Sequence, residues 1–400
     1  MSGAISALKI SGLQDKNLTD VPQLNFIKNS YMQYNKISTE KIKVEFDGIV
    51  DFNKQVSCIL PDKADYISKI YLCISLPELV PTGGTFASWT NSIGHAIIDH
   101  IDLEIGNRLI DRHYGLFMEI WEELTGKDKN ENLSIGKTSN LDTLKQYAEE
   151  SSFYIIPLRF WFCEELESAL PLYALKYHRV KITIKFKGFS ECVNYDGGSP
   201  PTTVSINDAY LMCDYIYMQR KPHKIERLSI LITQTQIKET SGEEVNHSGS
   251  VFKTNLPFNH PVKELLWVFI EKDSIDNNDP FNFSQRNTDP SIPTRPLMKS
   301  VSLFIDGSQY FKHFDEKIYR TINSYTHHTN TTDRFIYTFP FCQYPERHQP
   351  SGTLNFSCID SFTLNGEMQP NVSENYLYVF GINYNWLEIE NGVSALKYII

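Results

Sequence analysis

Residues 101–114 read IDLEIGNRLIDRHY, and residues 301–314 read VSLFIDGSQYFKHF. Each is a stretch of alternating apolar residues, then a turn containing glycine, then a return to a basic and aromatic cluster around His113 or His313. Alternation with a period of two is the mark of a sheet strand that buries one face. Working outward, residues 154–158 (YIIPL) are echoed by residues 337–341 (YTFPF), again a strand pattern carrying a proline before a long return. Residues 67–77 are answered by 262–270, and residues 56–61 by 251–257. One β-unit is written twice. Duplicating an all-β unit without duplicating a catalytic cluster points to building material rather than to an enzyme.

Strand-like stretches in the first half are 41–46, 54–60, 66–76, 96–110, 153–162, 170–175, 178–187 and 204–218. The clearest lies at 180–187, where Val180, Ile182, Ile184 and Phe186 face one way and Lys181, Thr183, Lys185 and Lys187 the other. The matching set in the second half is 224–234, 250–256, 262–270, 299–306, 334–341, 353–357, 359–364 and 376–386. Eight strands per unit with long connections fit a jelly roll better than a seven-stranded immunoglobulin-like sandwich. The expected fold is therefore all-β, two tandem eight-stranded jelly rolls, with short helices in loops of the first. Expected boundaries are an N-terminal arm at 1–40, a first roll at 41–218, a linker at 219–226 (QRKPHKIE from 219) and a second roll at 227–400. A linker this short places the rolls side by side.

A helix is expected over 114–124, where Phe117, Ile120, Trp121 and Leu124 form one stripe and Glu119, Glu122 and Glu123 lie opposite. Residues 141–150 suggest a second. The span from 126 to 152 is longer than its counterpart in the second unit and reads as an insertion over one end of the first roll. Turn-rich loops fall at 81–84, 196–201 and 277–296.

The chain has 400 residues, 41% hydrophobic and 22% charged, with 24 Phe, 22 Tyr and 5 Trp, so a packed core and large buried contacts are expected. A formal net charge of −10 argues against direct nucleic-acid binding, which needs a basic footprint. The longest apolar run, 265–270, is far too short to span a bilayer. The first residues lack a secretory signal, and Ser2 stands where N-myristoylation requires glycine. Cys58, Cys73, Cys163, Cys192, Cys213, Cys342 and Cys358 are odd in number and never spaced CxxC, which fits reduced thiols of an intracellular protein.

Motifs for chemistry fail on inspection. Gly136-Lys137-Thr138 resembles the end of a phosphate-binding loop, but the glycine required five residues earlier is Glu131. His95 with His100, and His327 with His328, lack the H-x-H or HExxH spacing of metal sites. Asp102 and Glu104 share a strand face and could mimic a glycosidase dyad. Their plainer reading is the solvent side of a strand whose core side is Ile101, Leu103 and Ile105. The seven N-x-[ST] sequons, at Asn17, Asn132, Asn246, Asn282, Asn330, Asn355 and Asn371, carry little weight without a signal peptide. No catalytic, cofactor-binding or metal-binding residue is assigned, and no cofactor is expected.

Residues 12–31 (GLQDKNLTDVPQLNFIKNSY) resemble the opening of major capsid proteins of nucleocytoplasmic large DNA viruses. The resemblance continues, in the family's order, through 101–114, then 169–182 (ALPLYALKYHRVKI), then 349–360 (QPSGTLNFSCID). It departs at Met32 and Gln33 and at Cys358, where the family usually carries basic residues. The resemblance implies a double jelly roll forming homotrimeric, pseudo-hexagonal capsomers of an icosahedral shell. Implied partners are other copies, minor capsid proteins and, indirectly, an internal membrane. The implied location is the virion capsid, assembled in the host cytoplasm. Two alternatives stand beside it: a minor capsid or scaffold paralogue with the same fold, and a carbohydrate-binding or hydrolytic β-sandwich with an aromatic cleft and a carboxylate pair.

Overall fold

The computed structural model describes residues 36–84, 86–126, 134–138, 140–196, 200–219, 227–240, 251–285, 294–370 and 372–399. The family-like stretch at 12–31, most of the expected arm and residues 220–226 of the expected linker lie outside these.

Among the described residues the frame of the first half is eight strands, with shorter ones beside them: β1 (Ile37–Glu45), β2 (Gln55–Ile59), β3 (Tyr66–Leu76), β4 (Ile98–Ile105), β5 (Arg108–Tyr114), β6 (Ser152–Pro157), β7 (Val180–Phe186) and β8 (Asp208–Met218). They pair as a nest, β1 with β8, β2 with β7, β3 with β6 and β4 with β5, all antiparallel. Further pairing of β8 with β3 and of β7 with β4 closes two sheets, β1-β8-β3-β6 and β2-β7-β4-β5. A long hairpin rolled up in this way is a jelly roll.

The second half repeats this eight-strand frame and adds a short strand, Val393–Leu396, paired with Leu387–Glu390. It comprises β9 (Arg227–Thr240), β10 (Val251–Asn255), β11 (Pro261–Glu271), β12 (Met298–Ile305), β13 (Ser308–Asp315), β14 (Tyr337–Pro340), β15 (Phe362–Met368) and β16 (Asn375–Glu390). Its sheets are β9-β16-β11-β14 and β10-β15-β12-β13, so adding eight to every label of the first roll gives the second. Among the described residues no strand before 219 pairs with one after 226. Each inner hairpin turns in two residues that both have positive φ: Gly106 and Asn107 at 60° each, Asp306 at 48° and Gly307 at 76°. This is the turn whose twist matches paired strands, and Asn, Asp and Gly tolerate it best.

Inside each roll, the alternating faces meet. Ile70, Leu72 and Ile74 of β3 and Leu211, Cys213 and Tyr215 of β8 join Ile101, Leu103, Ile182 and Ile184 in the core. In the second roll Phe252 of β10 meets Phe269 of β11 edge-on, ring centres 5.2 Å apart. One apolar cluster runs through both halves.

Several expected strands are shorter than the sequence pattern suggested. The stretch at 96–110 is split: residues 93–96 form a one-turn helix α1 (Ile93–Ala96) ahead of β4, and the hairpin turn ends that strand at Ile105. The stretch at 153–162 stops at Pro157, which has no N–H to extend the ladder, and continues into a short helix at 161–164. The stretch at 170–175 pairs only at Leu170–Pro171 and then turns as a 3-10 helix, and 353–357 pairs only at Leu354–Asn355. The expected helix is α2 (Gly115–Thr125) and the second is α3 (Leu141–Glu149), which lies beside a short strand, Ala87–Trp89. The turn after Pro157 is α4 (Trp161–Glu164). Helices also occur in the second roll: α5 (Lys272–Asp276), and a π-helical turn Ile318–Ile322 running into α6 (Asn323–His327). No helix among the described residues is long and apolar enough to cross a membrane.

Candidate functional site

The feature that couples the two halves is a seam in which β5, α2 and α4 of the first roll lie on the outer face of the β9-β16-β11-β14 sheet. Strand β16 points Leu377 and Val379 into its own core, so Phe380 and Ile382 point outward. Both are nonetheless buried, because Phe117 of α2 packs against Phe380 with ring centres 5.5 Å apart. Backbone and side chains tie the same surfaces. The Thr235 N–H donates to Asp111 Oδ1 at 2.8 Å, and Gln234 Nε2 donates to the Ile110 carbonyl. Asp111 Oδ2 lies 2.9 Å from His113 Nε2, and the His113 ring stacks on Phe160 at 4.7 Å. His113 is thus buried at the seam, whereas its sequence counterpart His313 is half-exposed beside Ser300 Oγ at 2.6 Å.

Charge is buried along the seam, and it is paired. Glu119 of α2 is fully buried and receives Ser92 Oγ at 3.1 Å, His95 Nδ1 at 2.8 Å, Lys137 Nζ at 3.1 Å and Arg334 Nη1 at 3.1 Å. Arg334 comes from the second roll. It also reaches Glu123 at 2.8 Å, as does Lys137. Burial alone would raise the Glu119 pKa. The His95 hydrogen bond and the charges of Lys137 and Arg334 outweigh it and hold the carboxyl well below the usual range. Asn330 adds two bonds across the seam, Nδ2 to the Glu123 carbonyl and N–H to the Leu124 carbonyl, each at 2.9 Å. The face of α2 that reads as polar in sequence is therefore not a solvent face; it is the half of the seam that carries ions.

Beside this lies a cavity of about 670 Å³ between the rolls, with Trp121, Arg159, Glu164, His328, Glu346 and Arg347 in its lining. Several of its charges are paired. Arg159 pairs with Glu122 of α2. His328 has a fully buried side chain, with Nε2 2.8 Å from Glu264 and Nδ1 3.3 Å from Glu346. Burial would depress its pKa, but the two carboxylates win and push it up to about 9. Lys263 is buried near the rings of Trp121 and Tyr384, and desolvation lowers its pKa against the pull of Glu264. These ion pairs each stay within one roll, and the contact across the cavity is made by the Trp121 ring, edge-on to His328 with centres 6.2 Å apart and 5.9 Å from Lys263 Nζ. The cavity presents no free nucleophile beside a base.

The residues weighed from sequence fall elsewhere. His95 stands on α1 rather than on a strand with His100, and its ring serves Glu119; His100 lies on β4, 2.7 Å from Asp99. His327 contacts the Gln343 carbonyl at 3.1 Å. Asp102 is gripped by Arg112 through two bonds of 2.6 and 2.8 Å and is buried, so it is not on a solvent face. Glu104 accepts from Lys181 and Thr183. Each carboxylate has its own partner, and the pair makes no dyad. Lys137 of the Gly136-Lys137-Thr138 stretch holds carboxylates, not phosphate. Asn282 and Asn355 use their side-chain oxygens to brace local turns; Asn17, Asn132, Asn246 and Asn371 lie outside the described residues. All seven cysteines are free thiols. Among the described residues no cluster of three or more His, Cys, Asp or Glu is arranged to hold a metal ion. Sequence reasoning missed Lys263, Glu264 and Arg334. A signal existed for the first two: charges interrupting an otherwise apolar strand mark an outer face that something covers.

Comparison with known proteins agrees with this architecture. Residues 25–219 match the family described as major capsid protein N-terminus, and residues 218–395 match large eukaryotic DNA virus major capsid protein. The chain is 32% identical to the major capsid protein of Pyramimonas orientalis virus, over the whole of both chains. It is 28% identical to that of Phaeocystis pouchetii virus, again over the whole of both. Its fold is similar to that in a quasi-atomic model of the PBCV-1 virus capsid, with TM-score 0.80 at 21% identity, covering 94% of this chain and all of that one. It is also similar to the Faustovirus major capsid protein, with TM-score 0.72 at 12% identity, covering 97% and 96%.

Proposed function

The chain belongs to the family of large eukaryotic DNA virus major capsid proteins, and on that premise we propose that three copies close into one pseudo-hexagonal capsomer of an icosahedral shell. It is a structural component of the virion capsid, built in with other copies of itself, and not an enzyme. The observation that carries the trimer is the identity of the two strand plans, together with a seam that fixes one roll against the other. Three two-lobed chains present six similar lobes, so closed three-fold symmetry can occupy a six-fold lattice position.

We divide the chain accordingly into an arm at 1–40, rolls at 41–218 and 227–400, and a linker at 219–226. The separation of strand pairing on either side of 219–226 supports this division. Minor capsid proteins are the second class of partner, with any inner membrane met only indirectly. Direct contact with nucleic acid is disfavoured by a net charge of −10. Assembly in the host cytoplasm suits seven free thiols.

An obligate interface typically buries roughly 2,000–5,000 Å². Light scattering of the purified chain at low concentration should therefore find a particle of three times the 46.2 kDa chain mass. Monomers alone would contradict the trimer.

A further inference from the structure

We propose that a recess in the seam, opening off the larger cavity, binds a phosphate-type oxyanion, with Lys263 supplying the charge and Trp161, Thr233 and Thr235 the remaining donors.

The backbone builds the position of Lys263. Neighbouring residues of a strand point to opposite faces, yet Lys263 and Glu264 of β11 both face the first roll. Lys263 Nζ lies 5.9 Å from the centre of the Trp121 ring, and Glu264 meets His328, whose own ring stands edge-on to Trp121. A β-bulge allows this. Val262 pairs with Asn383 and Glu264 with Ile382, so Lys263 is the extra residue, re-aimed as bulged residues are. It is only 4% exposed. Among the described residues no hydrogen bond or ion pair reaches its Nζ. An ammonium buried without an anion is costly, and folded proteins pair it.

The recess measures about 40 Å³ and shares Trp121, Arg159, Glu164 and Glu346 with the lining of the larger cavity, so the two spaces join. A space of that size holds a few waters, or the head of a ligand whose body lies in the larger cavity. The larger cavity, about 670 Å³, has the usual size of a small-molecule site. Most polar groups around the recess are committed: His113 to Asp111, Arg159 to Glu122, His348 Nε2 to the Leu231 carbonyl at 3.0 Å, and Glu346 to His328.

What remains is mainly donor. Trp161 Nε1 of α4 is buried without a partner. Thr233 and Thr235 lie two residues apart on β9, hence on one face, and their hydroxyls make no hydrogen bond among the described residues. Lys263 adds the positive charge. Trp161 comes from the first roll and the other three from the second, so the site exists only where the rolls meet. A carboxylate ligand brings too few oxygens for four donors, whereas a phosphate group has enough for all of them. Glu164 is the one lining carboxylate of the recess left unpaired; it is exposed, and water screens it.

Two sources share this chemistry: the free phosphate ion, and a phosphate ester whose body fills the larger cavity. The full chain is titrated with inorganic phosphate and, separately, with phenyl phosphate at constant ionic strength, followed by isothermal titration calorimetry. Saturable binding at one site per chain is expected. Tighter binding of phenyl phosphate identifies an ester as the ligand; equal or weaker binding identifies the free ion. Lys263→Met keeps the stem and removes the charge, and it should weaken binding at least about tenfold. Without phosphate it should melt no lower than wild type, since an unpaired buried charge is gone. Should that variant misfold, Thr233→Val combined with Thr235→Val tests the same recess and should weaken binding several-fold. Absence of saturable binding, binding unchanged in a folded variant, or chloride acting as well as phosphate would overturn the site. A Lys263→Met chain that melts lower with and without phosphate alike would make Lys263 a packing residue and overturn it too. Binding is read per chain, so none of these results depends on the trimer.

Discussion

Two residues show how the seam tolerates buried charge. Glu119 would be costly alone in the interior, yet it is met by one histidine, one lysine and one arginine, the last supplied by the other roll. Its depressed pKa means that its stabilisation is complete above the ordinary carboxylate value of about 4.3 and is lost as pH falls below it. His328 works in the opposite sense. Its folded pKa is raised to about 9, above the ordinary value of about 6.5, so its contribution is complete below pH ~6.5 and is lost as pH rises through about 9. Each tenfold gain in proton affinity is worth about 1.4 kcal/mol, so the loss amounts to about 3 kcal/mol. Urea denaturation at pH 6, 7.5 and 9 should show stability falling across that window, and His328→Gln should flatten the fall. An unchanged pH slope in the variant would show that Glu264 and Glu346 do not hold a charged imidazole.

At the scale of elements, legibility followed exposure. Strands with one wet face, such as β7 with its lysines on alternate residues, carry their period openly. Strand β3 runs over the span its pattern marks, residues 66–76. Strand β13, SQYFKHFD, has no clean alternation because most of it is exposed, and it was legible only as the return of a repeated hairpin. The burial of the polar stripe of α2 could not be read locally because the residues that neutralise it, Arg159 and Arg334, are distant in sequence. No local pattern encodes that. Glycines separate two kinds of constraint. At Gly307, φ is 76° and nothing lies within 4 Å of a Cβ position, so Gly307→Ala should cost only the left-handed backbone, about 1–2 kcal/mol. At Gly366 on β15, a Cβ would come within 2.5 Å of both the Ser300 carbonyl oxygen and the Phe252 ring, so Gly366→Ala should cost more, up to about 3 kcal/mol or beyond. Chemical denaturation of both variants checks the order; equal losses would mean that β15 yields where the packing says it cannot.

For the whole molecule, the repeated strand plan is what matters. Two rolls of one topology, joined by a seam of stacked rings and paired charges, give a chain whose halves act as one block. The duplication was readable from residues 101–114 and 301–314 because both copies keep the hairpin turn. The seam was not, since it depends on which outer face each roll covers. A block of two rolls with one strand plan is suited to closing into a ring with its neighbours, three chains giving six rolls. Cryo-electron microscopy of purified virions at a resolution that separates the sheets tests that closure most directly. Capsomers of three chains are expected, in which six jelly rolls ring a common axis and each chain supplies two adjacent ones. Capsomers with any other number of these chains, or a shell built without this chain, would contradict it.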